Sequence, residues 1–356
     1  MSVFYLYASC FMLAAGATYL ATPLIVRLTT HLKIIDQLGE ERRVHENPTP
    51  RMGGVAVFFG FAFALFTMVG IALNHVHGFF PVDAHETSRG QLEDRVSSAH
   101  DLVGLIFGSM LILIVGMWDD IMGMRPRDKF IAQVSVAVIS MVYGFHIEFI
   151  AHPFSHDPRD LIFFPWWLSY PLTLFWYVAM MNAINFIDGL DGLLSGFTAI
   201  SGIFMFAIAM THGNPVVGLV VLSLAGAALG FLRYNFNPAK IFLGDSGSLF
   251  IGYVFATVSI IGTSKTAIAI GLIAPLVVLA LPILDTAAAI VRRTASGRRI
   301  TEADRGHFHH QLIFRYGLNV RQAVLLIYAV CFILGAAALF VSGGLHVHLP
   351  FKIAAL

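Results

Sequence analysis

Residues 181–194 read Met-Asn-Ala-Ile-Asn-Phe-Ile-Asp-Gly-Leu-Asp-Gly-Leu-Leu and join two apolar runs, 165–186 and 193–211. Each run is long enough to cross a bilayer as a helix, so the stretch is predicted to contain a tight turn between two membrane helices. Hydrocarbon offers a carboxylate neither water nor a counter-ion, which makes Asp188 and Asp191 costly there unless they have a function. We therefore predict that this turn forms part of a phosphate and metal site at a membrane surface.

The composition places the whole chain in a membrane. Of its 356 residues, 57% are hydrophobic and 12% are charged, whereas a soluble domain carries about 25% charged residues. We predict an all-α, polytopic membrane protein of about ten transmembrane helices, with 1–356 as a single domain. The apolar runs are 3–27, 53–73, 102–118, 130–147, 165–186, 193–211, 216–232, 248–263, 267–291 and 321–342.

The distribution of Lys and Arg predicts an orientation. With the N-terminus outside and the loops alternating, 17 of the 22 Lys and Arg residues fall on the inner side and 5 on the outer side. The positive-inside rule then predicts a multi-pass protein of the inner (plasma) membrane with both termini outside. The loops with unusual chemistry all fall on the predicted cytoplasmic side: 28–52, 119–129, 187–192, 233–247 and 292–320.

Adjacent acids end the third apolar run. The carboxylates of Asp119 and Asp120 repel each other unless a cation or a proton relieves them. Mg²⁺ fits this need, because it takes few carboxylates and fills its shell with water and phosphate oxygens. The alternative is a solvated helix end, which the helix macrodipole disfavours for acidic residues.

The quoted stretch carries Asn182, Asn185 and Asp188 at intervals of three, which places them on one helix face. Asparagines also join membrane helices by hydrogen bonds, but that alternative leaves the carboxylates unexplained. Asp245 lies in Gly-Asp-Ser-Gly-Ser, directly before another apolar run. This turn is either an ordinary helix cap or a metal and anion site at a helix N-terminus.

Two inner loops are basic. Residues 42–54, Arg-Arg-Val-His-Glu-Asn-Pro-Thr-Pro-Arg-Met-Gly-Gly, form either a clamp for an anionic substrate or a loop that only sets topology. Residues 304–311 read Asp-Arg-Gly-His-Phe-His-His-Gln. Their histidines and arginine fit a phosphate cradle better than a zinc site, because no cysteine lies nearby.

The ninth apolar run carries Pro275, Pro282 and Asp285. We expect the prolines to kink this helix and to leave a groove open to lipid. Asp285 either pairs with an arginine or lies at the inner interface.

Carboxylates, amides and cationic loops at a membrane surface favour phosphoryl chemistry on a pyrophosphate, with one lipid and one soluble substrate. No Walker A loop is present. An ion-coupled transporter is the alternative from another class. Transporters place their acids near the midplane and often carry inverted repeats, and neither feature is found here.

Together these motifs resemble the polyprenyl-phosphate N-acetylhexosamine-1-phosphate transferases, the group that contains WecA, TagO and MraY. The resemblance implies that a polyprenyl phosphate attacks the β-phosphorus of a UDP-amino sugar and that UMP leaves, as the first membrane step of a cell-envelope polysaccharide. The matching segments, in family order, are Arg43-Val-His45 with Pro50-Arg51-Met-Gly53-Gly54, Asp119-Asp120, residues 182–192, Phe242-Leu-Gly-Asp245-Ser-Gly-Ser and His307-Phe-His309-His310.

The resemblance also implies roles for individual residues. Asn185 and Asp245 would bind Mg²⁺, or Mn²⁺ in its place, and Asp119 or Asp120 would position or deprotonate the lipid phosphate. The implied catalytic residues are Asp119, Asp120, Asp188 and Asp191. The implied substrate-binding residues are Arg51, Lys129, Asn182, Phe242, Arg305, His307, His309 and His310.

The spacing His-x-His-His is similar to that of the WecA and TagO branch, whereas MraY-like members carry three consecutive histidines. We therefore expect UDP-N-acetylglucosamine and undecaprenyl phosphate as substrates, with an MraY-like reaction on UDP-N-acetylmuramoyl-pentapeptide as the alternative. Membrane lipid is an expected partner, nucleic acid is not, and a homodimer is left open.

Overall fold

The computed structural model describes residues 3–36, 49–75, 88–151, 161–264, 279–295 and 308–342. Over these ranges the chain forms eleven α-helices and two short antiparallel hairpins. The helices are α1 Val3–His31, α2 Gly53–His75, α3 Ser88–Met122, α4 Pro126–Val142, α5 Trp166–Ile187, α6 Leu193–Thr211, α7 Pro215–Asn235, α8 Gly244–Ser264, α9 Ala280–Ala295, α10 Phe308–Phe314 and α11 Val320–Val341. The hairpins pair β1 Ile35–Asp36 with β2 Thr49–Pro50, and β3 Phe149–Ala151 with β4 Leu161–Phe163.

The predicted all-α membrane fold is confirmed. Among the described residues, seven helices are long and apolar enough to cross a membrane: α1, α2, α3, α6, α7, α8 and α11. The described parts of the other three predicted runs are also helical, but α4 has 17 residues, α9 has 16 within the described range, and α5 carries polar residues along its 22. Two features go beyond the prediction. The helix α3 begins at Ser88, before the predicted apolar run 102–118, and the two hairpins were not predicted.

The helices α7 and α8 lie at the centre of the bundle. In the 18-residue apolar stretch of each helix, the share buried inside the protein is 83% for α7 and 89% for α8. It is only 22% for α1 and 28% for α11. The peripheral helices expose large apolar side chains such as Leu20 and Phe332, which a bilayer would cover. The central helix α8 therefore places its N-terminal residues inside the protein, close to several other helix ends.

Glycines let three backbones meet at the start of α8. A Cβ on Gly54 in α2 would overlap the backbone of Gly247, and one on Gly116 in α3 would lie 2.5 Å from the carbonyl oxygen of Asp245. Small residues allow this kind of close approach between membrane helices. The glycines thus bring the ends of α2 and α3 against the first turn of α8.

Buried hydrogen bonds also fix α8 against α4 and α5. The hydroxyl oxygens of Ser140 and Tyr253 are 2.8 Å apart, and those of Tyr177 and Thr257 are 3.0 Å apart. The rings of Tyr177 and Tyr253 stack with centroids 5.5 Å apart. These contacts hold the helices that carry the predicted site residues in one arrangement.

The kink predicted in the ninth apolar run stays a prediction, because the structure describes only the part of this run from residue 279 onward. The helix α9 begins at Ala280, so Pro282 lies in its first turn, where a missing N–H removes no helical hydrogen bond. Pro275 lies outside the described residues.

We predict that Gly54→Ala destabilises the protein, because the added methyl group would meet the backbone of α8 rather than a side chain that could move. Overpacking of this kind costs about 1–3 kcal/mol. Gly70→Ala in the same helix is the matched control, since its Cβ would have nothing within 4 Å. Thermal unfolding in detergent should show a lower midpoint for the first variant and an unchanged or higher one for the second. Equal midpoints would contradict the proposed backbone contact.

Candidate active site

Several helix ends converge on one small polar region. It contains the C-terminal end of α3, the N-terminal turns of α4 and α8, and the C-terminal end of α5. The predicted residues that contact one another directly here are Asp119, Asp120, Lys129, Asn185 and Asp245. The sequence predicted these residues as members of one site, and the structure brings them together.

Asp245 is central to this cluster. Its Oδ1 atom lies 2.8 Å from Nζ of Lys129 and also accepts a hydrogen bond from the amide of Asn185. That amide donates in addition to the hydroxyl of Ser248, at 2.7 Å. The side chain of Asp245 is 25% exposed, so protein does not fully enclose the cluster.

Lys129 bridges two carboxylates. Its Nζ atom lies 2.9 Å from Oδ2 of Asp119, in addition to its contact with Asp245. The other oxygen of Asp119 accepts the backbone N–H of Met124 at 2.7 Å, which holds the turn between α3 and α4. The ammonium group thus neutralises part of the acidic cluster.

Asp120 contacts backbone instead of side chains of the cluster. Its two oxygens accept the N–H groups of Asp245 and Ser246, at 2.9 and 3.0 Å. The residue is buried. The adjacent acids therefore have different surroundings, which their order in the sequence did not indicate.

Asp188 ends α5 and lies in the turn before α6. Burial, together with the negative charges of Asp245, Asp120 and Asp191, raises the pKa of Asp188 to about 8, and the positive charge of Arg51 acts in the opposite direction. The turn is therefore rich in negative charge, and a cation placed there would favour the ionised carboxylate.

Asp191 holds the loop that precedes α8. Its Oδ2 atom accepts the side-chain amide of Asn237 and the backbone N–H of Ala239, both at 2.9 Å. Asn235 supports the same loop by donating to the carbonyl of Ile241 at 3.0 Å. Sequence reasoning did not identify either asparagine as a partner, although both lie in the inner loop 233–247.

Asn182 joins two helices. Its Nδ2 atom donates to Oε1 of Gln133 in α4 at 2.8 Å. This is the interhelical contact that was the alternative interpretation for the asparagines. Gln133 was also missed, although it lies one turn after Lys129 and so shares its helix face.

Phe242 and the basic loops complete the predicted set. The backbone N–H of Phe242 donates to the carbonyl of Pro50 at 2.8 Å, so its loop runs beside β2, and its side chain is partly buried. His310 is also partly buried, with its ring 5.9 Å from that of Phe314. Outside the described residues lie Arg42, Arg43, His45, Arg305, His307 and the side chain of His309.

Asp285 connects α9 to the histidine segment. Its Oδ1 atom accepts the backbone N–H of Phe308 at 2.9 Å. Both roles that the sequence left open for Asp285, pairing with an arginine and a position at the inner interface, stay predictions beside this contact. The contact fixes the first residue of α10 next to α9.

The donor set suits a hard divalent cation. Among the residues that the structure describes, no group of three His, Cys, Asp or Glu converges in a metal-binding arrangement. Mg²⁺ does not require one, because it binds one or two carboxylates and completes its shell with water and substrate phosphates. The carboxylate of Asp245 and the side-chain amide of Asn185 both offer oxygen ligands of the appropriate kind. Asp188 is close enough to Asp245 for the negative charge of Asp245 to raise its pKa.

Comparison with known proteins identifies the family. Glycosyl transferase family 4 matches residues 102–263. A probable undecaprenyl-phosphate N-acetylglucosaminyl 1-phosphate transferase of Bacillus subtilis is 32% identical over 329 residues, which cover 92% of this chain and 83% of that protein. The chain belongs to the polyprenyl-phosphate N-acetylhexosamine-1-phosphate transferase family.

Other members of the family are similar over most of their length. A decaprenyl-phosphate N-acetylglucosaminephosphotransferase of Mycobacterium tuberculosis is 34% identical over 334 residues, covering 88% of this chain and 77% of the relative. A phospho-N-acetylmuramoyl-pentapeptide-transferase of Staphylococcus aureus is 29% identical over 351 residues, covering 94% and 98%. The segment that matches the family contains the whole cluster around Asp245, whereas Arg51 and the histidines lie outside it.

The raised pKa of Asp188 predicts a pH-dependent effect of Asp188→Asn on the metal-free protein. Between about pH 4 and about pH 8 the unfolded chain releases the proton of this carboxyl group while the folded protein keeps it, so the wild type loses stability as pH rises. The asparagine variant lacks this loss. Its stability relative to the wild type should therefore grow through this range, by at most about 1.4 kcal/mol per pH unit, and level off above it.

Thermal or urea unfolding of both proteins in EDTA measures this difference. The wild type is the reference at each pH, which cancels the contributions of groups that do not interact with Asp188. A difference that stays constant from pH 4 to 8 would contradict the raised pKa.

Proposed function

We propose that the chain transfers N-acetylglucosamine 1-phosphate from UDP-N-acetylglucosamine to undecaprenyl phosphate, and that UMP is released. The observation that carries the proposal is the cluster of Asp245, Asn185, Lys129 and Asp119 at the ends of apolar helices. A site at this position is open to water while its helices border lipid. The proposal is further supported by the Bacillus subtilis and Mycobacterium tuberculosis relatives, whose names specify this sugar.

In the proposed reaction, an oxygen of the lipid phosphate attacks the β-phosphorus of the nucleotide sugar. The bond from that phosphorus to the bridging oxygen breaks, and UMP leaves with the electron pair. A phosphate monoester has its second pKa near about 6, so the nucleophile is already mostly ionised at neutral pH. The protein therefore needs to position it more than to deprotonate it, a role that fits Asp119 with its partner Lys129.

Charge neutralisation is the main requirement of this reaction, because negative charge accumulates on both phosphates. Lys129 can exchange its carboxylate partners for phosphate oxygens, and Arg51 lies close enough to Asp188 to affect its pKa. When bound, Mg²⁺ or Mn²⁺ would supply further positive charge, held by Asp245 and Asn185. The Lys and Arg distribution supports the cytoplasmic side of the inner membrane as the location of this site.

A second candidate is the phospho-N-acetylmuramoyl-pentapeptide transfer that names the Staphylococcus aureus relative. The order His-x-His-His in 307–310 favours the N-acetylglucosamine branch. An ion-coupled transporter is disfavoured by the position of the acids at helix ends instead of the bundle centre.

Asp245→Asn should reduce UMP release by at least about 100-fold, because it removes the charged ligand around which the cluster forms. The measurement is UMP release by purified protein in detergent with undecaprenyl phosphate, UDP-N-acetylglucosamine and MgCl₂. Asp128→Asn is the matched control, since Asp128 is exposed and adjacent to Lys129 in sequence. Full activity of the first variant would overturn the proposed role of Asp245.

The sugar is tested by offering the wild-type protein undecaprenyl phosphate with each UDP-sugar separately and identifying the lipid product by mass spectrometry. We expect undecaprenyl-diphosphate-N-acetylglucosamine. A product formed only from UDP-N-acetylmuramoyl-pentapeptide would establish the second candidate.

A further inference from the structure

Asp120 makes contacts that none of the proposed chemical roles uses. Its Oδ1 atom accepts the backbone N–H of Asp245 at 2.9 Å, and its Oδ2 atom accepts that of Ser246 at 3.0 Å. Only 9% of its surface is exposed, so Asp120 is more buried than the cluster that Asp245 forms with Lys129 and Asn185. Both of its oxygens are thus directed at the first turn of α8.

These contacts form a helix cap supplied by another helix. The first N–H groups of a helix have no partner within it and need an acceptor, usually a side chain just before the first turn. Before α8 stands Leu243, whose side chain has no acceptor for these N–H groups. The acceptor therefore comes from α3, which lies 125 residues earlier in the chain. Hydrogen bonds to a carboxylate are also stronger than those to a neutral acceptor.

The surrounding backbone is shaped for this cap. Gly244 has a φ of +75°, and a Cβ at this position would lie 2.5 Å from Oδ2 of Asp120. Gly116, one turn before Asp120 in α3, packs equally closely, because its Cβ would lie 2.5 Å from the carbonyl oxygen of Asp245. Two glycines are therefore needed for α3 and α8 to approach until the carboxylate meets the two N–H groups.

Asp119 has a different set of contacts. Its oxygens meet Nζ of Lys129 and the N–H of Met124, and neither contacts the backbone of α8. Asp119 thus belongs to the charged cluster, whereas Asp120 binds the backbone of α8 that carries Asp245.

We propose that Asp120 is a positioning residue that holds the backbone of Asp245 so that its carboxylate meets Lys129 and Asn185, and that Asp120 contacts neither substrate. Of the adjacent acids, only Asp119 then faces the lipid phosphate. The division of roles rests on the proposed function, but the capping itself does not.

Hydrogen exchange of the full-length protein in detergent tests the cap without any substrate. We expect peptides that contain residues 243–250 to exchange at least about fivefold faster in Asp120→Asn than in the wild type, because an asparagine retains only one acceptor. Asp120→Ala, with no acceptor, should have a larger effect, and Asp119→Asn is the matched control with unchanged exchange there. Unchanged exchange in Asp120→Asn would overturn the proposal, and this variant suffices if the alanine protein does not fold.

Kinetics then separate positioning from substrate contact. In Asp120→Asn we expect the Mg²⁺ concentration for half-maximal UMP release to rise at least about fivefold, with the KM for undecaprenyl phosphate unchanged. Asp119→Asn should instead lower kcat or raise that KM. A raised KM for the lipid in Asp120→Asn, with an unchanged Mg²⁺ requirement, would assign Asp120 to the substrate and overturn the proposal. If the wild type releases no UMP, the proposed function fails, while the exchange experiment still decides whether Asp120 caps α8.

Discussion

The carboxylate of Asp245 at the N-terminal end of α8 is the group on which the site depends. A carboxylate in a partly buried position costs several kcal/mol unless it is paired and hydrogen-bonded. Here Lys129, the amide of Asn185 and the N-terminal end of the helix offset that cost. Lys129 is shared with Asp119, and Asp188 adds a further acid with a raised pKa. The site is therefore poorly neutralised by its own contacts, which suits a place where cations and phosphates meet.

The helix bundle makes this arrangement possible. The ends of α2 and α3 can approach the first turn of α8 closely because Gly54 and Gly116 let the backbones touch. Deeper in the bundle, the hydrogen bonds between Ser140 and Tyr253 and between Tyr177 and Thr257 join α8 to α4 and α5. Packing in the apolar region thus fixes the geometry of polar groups at the helix ends, where a lipid and a soluble substrate can both arrive.

The sequence was most informative about what kind of residue the site would need. Asp119, Lys129, Asn185 and Asp245 were predicted as one site and are in contact. It was less informative about partners. Asn182 binds Gln133, and Asp191 binds Asn237, although both were expected near the substrate. A hydrogen-bond partner on another helix leaves no periodic signal, so motif reasoning assigns every polar residue in a motif to the ligand.

The amino-acid sequence by itself determined that this is an all-α membrane protein of this transferase family, because apolar length and motif order can be read along one dimension. It could not separate Asp119 from Asp120, which differ by one residue and carry the same charge. Only the tertiary structure decided that Asp120 caps α8 and that Asp119 meets Lys129. Successive residues of a helix point in directions about 100° apart. Adjacent acids therefore face different neighbours: Asp119 meets Lys129 of the next helix, whereas Asp120 meets the first turn of α8, 125 positions later in the chain.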